Sequence, residues 1–408
     1  MPNAATTTRS DEVLALRAGV AVRLRPLWVA AFLQGVGFWV PVEKLFMTGI
    51  GFDAASIGLM AAAYAAMTPL AEVVSGVLAD RWSRRGVLMV AGVALAVSVF
   101  IGAVSQNVAT YIVAALILGI YFAMYSGTVE AIVYDVVLEE TGDSAEYERR
   151  IGRVRFVESV ALVGSALAGG WIAAALSPRA TYFLTLPFAL LYLVALTRLR
   201  EPKLHQTAER TSLRDHLRVT YRAITDRGRL IPIAAATVMA AMILQAMFEF
   251  GPLWLITLKT EAGYYGPFWA LLVGMLGIGG LLANRIHLER PLPLAAVVLT
   301  MLAACLTMTT SRSLAALTAA MTALTFLLVV ISIHLSRLLH DAVPSTIRTG
   351  VASGISAVSW MLFTPFALVF GAVSKHAGVY VSGWMITAAV ALGGAALVWV
   401  QRHADALR

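Results

Sequence analysis

Long apolar blocks alternate with short polar, arginine-rich segments over the whole chain. A helix needs about 20 apolar residues to cross a hydrocarbon core about 30 Å thick. Blocks of that length fall at roughly 26–48, 56–78, 86–104, 109–133, 152–176 and 179–198, and again at roughly 230–256, 266–283, 292–311, 313–335, 350–374 and 378–400. The pattern predicts an all-α integral membrane protein of twelve transmembrane helices. Pro41, Pro69, Pro187, Pro252 and Pro365 fall inside these blocks, where lipid-embedded helices tolerate proline if neighbours satisfy the freed carbonyls.

Composition agrees. Of 408 residues, 59% are hydrophobic and 13% charged, about half the charge content of a soluble domain, and the mean hydropathy is +0.80. The one cysteine, Cys305, lies in an apolar block, so neither a disulfide framework nor a paired-cysteine metal site can form. A net charge of +8 could suit nucleic acid, but the distribution of the basic residues points to membrane topology instead. If both termini are cytosolic, the inner loops hold 26 of the 31 lysines and arginines, as the positive-inside rule requires. The outer side keeps Lys44, Arg179, Lys259, Arg312 and Lys375. Residues 1–25 carry Asp11, Glu12 and four arginines with no cleavage site after a short apolar stretch, so they are expected to form a cytosolic tail rather than a removable signal.

The longest inner loop, 199–229, separates two six-span halves, 26–198 and 230–400, and residues 401–408 form a second cytosolic tail. Within the loop, Ser212 can cap a surface helix whose Leu213, Leu217 and Ile224 share one face and whose Arg214, Arg218 and Arg222 share another, a pattern suited to an anionic leaflet. The halves also repeat. Gly76-Val77-Leu78-Ala79-Asp80-Arg81 recurs as Gly280-Leu281-Leu282-Ala283-Asn284-Arg285, and the offset of 204 residues also separates Arg25 from Arg229. Two pseudo-symmetric six-helix bundles in parallel orientation are expected, with a substrate site between them near the bilayer midplane.

The stretch Gly76-Val77-Leu78-Ala79-Asp80-Arg81-Trp82-Ser83-Arg84-Arg85 resembles the loop between helices 2 and 3 of the major facilitator superfamily, with Ser83 in place of that motif's second glycine. The resemblance implies that Asp80 and Arg81 make cytosolic contacts holding an outward-facing state. Asp135, at the cytosolic end of span 4, is the candidate acidic partner for Arg81, and Arg84 and Arg85 belong to the same gate. Asn284 replaces the acid in the second copy beside Arg285, so the gate is expected to be asymmetric. Two further positions depart from drug/proton antiporters of that superfamily. Ala115 stands where many carry arginine in span 4, and Gly164–Gly170 lacks the proline of the span 5 motif.

Acids within spans are costly, on the order of 3 kcal/mol at a helix centre, and so mark function. Glu72, Glu130, Asp135 and Glu158 fall near the cytosolic surface and are expected to serve mainly as gate and salt-bridge groups. Glu43 and Glu249 lie toward the outer part of the first helix of each half. Each has an aromatic companion, Trp39 or Phe248, and a glutamine below it, Gln34 or Gln245. Such carboxylates can attract lipophilic cations or carry protons; alternatively, Glu43 pairs locally or turns outward with Lys44. Tyr64, Tyr121, Tyr125 and Trp360 are candidates to line an aromatic cavity.

No phosphate-binding loop, nucleophile elbow or metal-spaced histidine cluster occurs, so neither an enzyme nor a cofactor or metal requirement is expected. The expected function is that of a secondary transporter in a bacterial inner membrane, working as a monomer among membrane lipids. It would export an amphipathic small molecule, a drug or natural product, in exchange for protons. An importer or symporter of a polar metabolite is the alternative within the class. A non-transporting enzyme, sensor or scaffold of the same fold is the alternative outside it.

Overall fold

The computed structural model describes residues 4–81, 83–142, 146–202, 230–342 and 348–402. The interfacial helix expected at 212–224 lies outside them. The described chain is helical: α1 (Ala4–Gly35), α2 (Glu43–Gly49), α3 (Ala54–Arg81), α4 (Arg84–Val104), α5 (Val108–Thr141), α6 (Tyr147–Ala175) and α7 (Pro178–Thr197), then α8 (Leu230–Phe250), α9 (Pro252–Thr257), α10 (Ala262–Leu282), α11 (Pro291–Thr310), α12 (Leu314–Ala342), α13 (Arg348–Ala377) and α14 (Val379–Arg402). Eleven stretches among the described residues are long and apolar enough to cross a membrane. α3 stands where the second of the twelve expected spans falls, and its described apolar part, Ala54–Pro69, is shorter.

Several helices outrun the apolar blocks at the arginine-rich end. α1 begins at Ala4 rather than near residue 26, α5 continues to Thr141, and α6 starts at Tyr147. Arginine and glutamate are good helix formers, so the helix does not stop where hydrophobicity does. Two expected helices are instead interrupted near the arginine-poor end. The first breaks between Gly35 and Glu43, where Gly37 and Pro41 disfavour a continuous ladder; the seventh breaks at Gly251, before Pro252. The backbone donors freed by the first break do not go unmet. Gly37 N donates to Ser165 Oγ at 3.2 Å and Phe38 N to Thr185 Oγ1 at 3.1 Å, so α6 and α7 satisfy what proline and glycine undo.

Helices α1 to α7 pack largely among themselves, as do α8 to α14, and the two groups meet chiefly where α3 lies against α13 and α6 against α10. Glycine makes both crossings close. A Cβ on Gly58 would sit 2.5 Å from the Ala367 carbonyl oxygen, and one on Gly170 would sit 2.6 Å from the Gly266 nitrogen. Neither distance is possible for a side-chain carbon, so the backbones approach as small-residue pairs allow in lipid.

Candidate functional site

Near the arginine-poor end, the breaks in the first and seventh spans bring their acids together. Glu43 opens α2 and Glu249 is the penultimate residue of α8, in opposite halves. Between them lies Lys44, 3% exposed, with Nζ donating to Glu43 Oε2 at 2.9 Å and to Glu249 Oε1. Tyr111 donates its hydroxyl to Glu43 Oε1 at 2.8 Å and meets the Tyr182 hydroxyl at 2.7 Å, and Trp39 stacks on Tyr182 at 5.3 Å. Glu249 finds no hydrogen-bond partner except Lys44 among the described residues. Lys44, counted from sequence as an outer-side charge, thus turns inward. The contact withdraws all three groups from water and sets one ammonium between two carboxylates, an excess of one negative charge when both are ionised.

The glutamines do not accompany both acids. Gln34 donates to Glu158 Oε1 at 2.6 Å rather than approaching Glu43. Arg155 reaches Glu158 Oε2 at 3.4 Å and Glu130 Oε1 at 3.0 Å, which extends the polar cluster across α1, α5 and α6. Tyr121 and Tyr125 stack on each other at 5.5 Å inside the first half, both nearly fully buried, and the hydroxyls of Tyr121 and Tyr192 have no hydrogen-bond partner among the described residues. They form an inner polar layer rather than the cavity wall expected for them. Tyr125 lies seventeen residues into α5, and Glu158 and Trp360 lie seventeen residues from the arginine-poor ends of α6 and α13. At 1.5 Å per residue all three sit about 25 Å from that end.

The second half supplies an open wall. A cavity of about 470 Å³ is lined from Phe248 and Gln245 down to Thr237 on α8, by Leu276 on α10, and by Ser356, Ser359, Trp360 and Phe363 on α13. Its volume and its mixture of aromatic surface with a few hydroxyl and amide groups are those of a small-molecule site. Trp360 reaches across to Tyr64 of the first half, with ring centroids 5.8 Å apart. Phe363, Ser356 and Ser359 were not legible as site residues, because a lone serine or phenylalanine in an apolar span carries no signal of the face it occupies.

The amino-acid sequence matches the Major Facilitator Superfamily over residues 27–364. The chain belongs to that superfamily. Its members are transporters, not enzymes. No curated protein sequence matches. Among solved structures, the D323A mutant of the nucleoside transporter NupG superposes with a TM-score of 0.77 at 14% identity, covering 93% of this chain and 99% of that one. A bacterial homolog of the human lysosomal transporter Spinster, inward-facing and unoccupied, gives 0.73 at 13% identity with 96% and 98% covered. The human organic anion transporter MFSD10 gives 0.61 at 20%, with 94% and 99% covered. At these identities the likeness concerns the fold.

The loop motif of this facilitator is partly described. Gly76, Asp80 and Arg81 lie on α3, but side chains 70–82, including Glu72, are outside the described residues. Asp135, buried, pairs with Arg84, which also donates to the Ala131 carbonyl at 2.8 Å; the Arg81 side chain, the partner expected from sequence, lies outside the described residues. The observed contact is local: Arg84 opens α4, which packs along α5, and so reaches the α5 carboxylate from the same half. Ser83, the motif's departure from glycine, caps α4 by accepting from Gly86 N at 2.8 Å. Its hydroxyl donates to Glu201, which also accepts from the backbone nitrogens of Arg84 and Arg85. In the second copy, Asn284 and Arg285 are exposed on a short turn and make no ion pair among the described residues.

Proposed function

We propose that this facilitator exports an amphipathic small molecule in exchange for protons, by alternating access between its two halves. The cavity under Phe248, Trp360 and Phe363 is the observation that carries the reading. Its aromatic walls suit an apolar body, and Gln245, Ser356 and Ser359 suit a few polar substituents. Among the described residues, the ion pairs that join the halves, Lys44–Glu249 and Asp53–Lys375, lie at the arginine-poor end, while Arg23–Glu139, Arg84–Asp135 and Arg337–Glu289 at the other end stay within one half. With the arginine-rich end cytosolic, the Lys44–Glu249 and Asp53–Lys375 pairs that join the halves at the opposite end support an inward-facing state whose cavity is reached from the cytosol. Twelve spans, both termini in the cytosol of a bacterium, and a monomer surrounded by lipid complete the proposal.

Everted vesicles carrying the wild type or Glu249→Gln test it. The transmembrane pH gradient is followed as lipophilic cations and natural-product-like compounds are added. A compound that collapses the gradient in wild type and not in Glu249→Gln supports proton-coupled export. A folded wild type that moves substrate without protons overturns the coupling. The hydroxyl and amide groups of the cavity also favour one alternative, uptake of a polar metabolite, in keeping with the likeness to a nucleoside transporter. Radiolabelled uptake into right-side-out vesicles separates the two.

A further inference from the structure

We infer that the arginine-rich end carries a binding site for an anionic phospholipid, formed by Arg149 and Arg153 of α6 with Arg25 and Trp28 of α1. The Arg153 guanidinium lies over the Trp28 ring, 4.2 Å from its centroid, and makes no ion pair among the described residues. Arg23, Arg84 and Arg155, by contrast, each reach a carboxylate. A guanidinium held on an aromatic face keeps its N–H edge free, and that planar fork fits phosphate oxygens in two parallel bonds. The contacts Trp28–Arg153 and Gln34–Glu158 rise together along the chain, so α1 and α6 run parallel. Arg25 precedes Trp28 by three residues and Arg149 precedes Arg153 by four, so each stands about one turn nearer the arginine-rich end on its neighbour's face. Arg25 and Arg153 are exposed, and Arg149 shares the Glu146 carboxylate with Arg150. With Glu148 exposed beside them, four guanidiniums meet two carboxylates among the described residues, and two positive charges stay unmatched.

The depth and surroundings of the cluster suit a lipid headgroup. Arg153 lies 22 residues from the arginine-poor end of α6, about 33 Å at 1.5 Å per residue, and a hydrocarbon core is about 30 Å thick. From Arg153 toward the other end, Phe156, Val160, Leu167 and Trp171 follow on one stripe of α6 and are 47–71% exposed. Trp171 adjoins Gly170, where α6 closes on α10; at that closed crossing an exposed indole faces lipid rather than the cavity. The stripe is therefore the path of an acyl chain, and the arginines stand at its headgroup end. The two features match the two parts of one molecule, an apolar chain along α6 and an anionic head between α1 and α6. A zwitterionic lipid brings its own ammonium and leaves the two charges unmatched, so the cluster selects a lipid of net negative charge. Bound there, its phosphate ties α1 to α6.

Native mass spectrometry of the full chain, titrated in neutral detergent with phosphatidylglycerol, phosphatidylcholine or glycerol 3-phosphate, tests the site. The first phosphatidylglycerol should bind at least about tenfold more tightly than the first phosphatidylcholine, and glycerol 3-phosphate should not compete. At about fivefold per basic residue, Arg153→Gln and Arg25→Gln should each weaken that first binding. Arg402→Gln, which removes an exposed arginine at the same end of α14, should not. Arg153→Lys separates a built site from charge alone, since it keeps the charge and loses the fork; it and Trp28→Leu should also weaken the first binding. Equal affinities for the two lipids, or an Arg153→Gln loss no larger than that of Arg402→Gln, overturn the inference. Displacement by glycerol 3-phosphate overturns it in favour of a site for free phosphate, and full affinity in both Arg153→Lys and Trp28→Leu overturns it in favour of charge attraction without a site. Thermal unfolding in the same detergent shows which variants are folded; if Arg153→Gln is not, Arg25→Gln and Arg153→Lys carry the test.

Discussion

Gln34 of the first span donates its amide to Glu158 of the fifth at 2.6 Å, joining two side chains that lie 124 positions apart and that hydropathy assigns to different tasks. The bond gives Glu158 a neutral partner beside Arg155 and fixes the acid at the level of Tyr125 and Trp360, where the two halves face one another.

Removing the amide should therefore weaken the first half measurably. A hydrogen bond to a charged group contributes about 1.5–3 kcal/mol, and Glu158 keeps Arg155, so Gln34→Leu is expected to lose about 1–2 kcal/mol. Thermal unfolding in detergent reads this loss. Gln34→Glu should lose more, because it places a second carboxylate against the first, and the excess should shrink at acid pH. If both variants unfold at the wild-type temperature, the bond contributes nothing.

The helix crossings make a sharper steric prediction. Gly58→Ala places a carbon 2.5 Å from the Ala367 carbonyl oxygen, whereas a Cβ on Gly127 meets nothing within 4 Å. The first change must push α3 from α13 at an overpacking cost of about 1–3 kcal/mol, and so populate the state open at the arginine-poor end. The second should raise stability by about 0.5–1 kcal/mol through helix propensity alone. Distances between spin labels at Gln106 and Ser313, exposed positions at the arginine-poor end of opposite halves, should lengthen in Gly58→Ala and stay unchanged in Gly127→Ala, in a Cys305→Ser background.

The sequence carried the helices because a bilayer imposes a length that hydropathy reports directly. It carried Glu43 and Glu249 for the same reason, since charges in apolar blocks stand out. What it could not carry was pairing. Gln34 lies nine residues before Glu43 and looked like its companion, yet the break at Gly37 and Pro41 turns the chain between them, and the glutamine falls to Glu158. Lys44 was legible as a charge but not as an inward one, since a residue at a helix start can face lipid, water or protein with the same neighbours in sequence. That Arg84 reaches Asp135 was not legible either, because that contact depends on how α4 lies along α5. Of the cavity wall on α13 only Trp360 was legible, while Ser356, Ser359 and Phe363 left no mark.

At the surface of the arginine-poor end, Lys375 Nζ lies 2.8 Å from Asp53 Oδ2 across the halves. The Lys375 ammonium, helped by the Ser56 backbone amide, holds the Asp53 carboxyl well below the usual carboxylate range. A depressed carboxyl contributes stability that is complete above its ordinary value near about 4 and is lost as pH falls through the paired value. Both side chains are nearly half exposed, 45% and 48%, so the contribution is expected to stay below about 1 kcal/mol. Asp53→Asn should open this end slightly at neutral pH, and about 1 M salt should abolish the difference from wild type. A salt-independent effect would mean that Asp53 acts through its hydrogen bonds to Ser56 instead.

Ser83 offers a test of why this chain departs from the superfamily's loop pattern. Its hydroxyl accepts from Gly86 N at the start of α4 and donates to Glu201 at 2.7 Å, so the side chain ties the beginning of the third span to the segment that leaves the sixth. Replacing a serine cap by alanine costs about 1 kcal/mol, and by glycine only a few tenths. If capping is the whole of its role, Ser83→Gly, which restores the family residue, should be nearly neutral and Ser83→Ala should not. If the tie to Glu201 matters as well, both variants should lose a similar further amount, and adding Glu201→Gln should change Ser83→Gly less than it changes the wild type. Denaturation midpoints of the five proteins decide between a helix cap and a clasp holding the central loop to the first half.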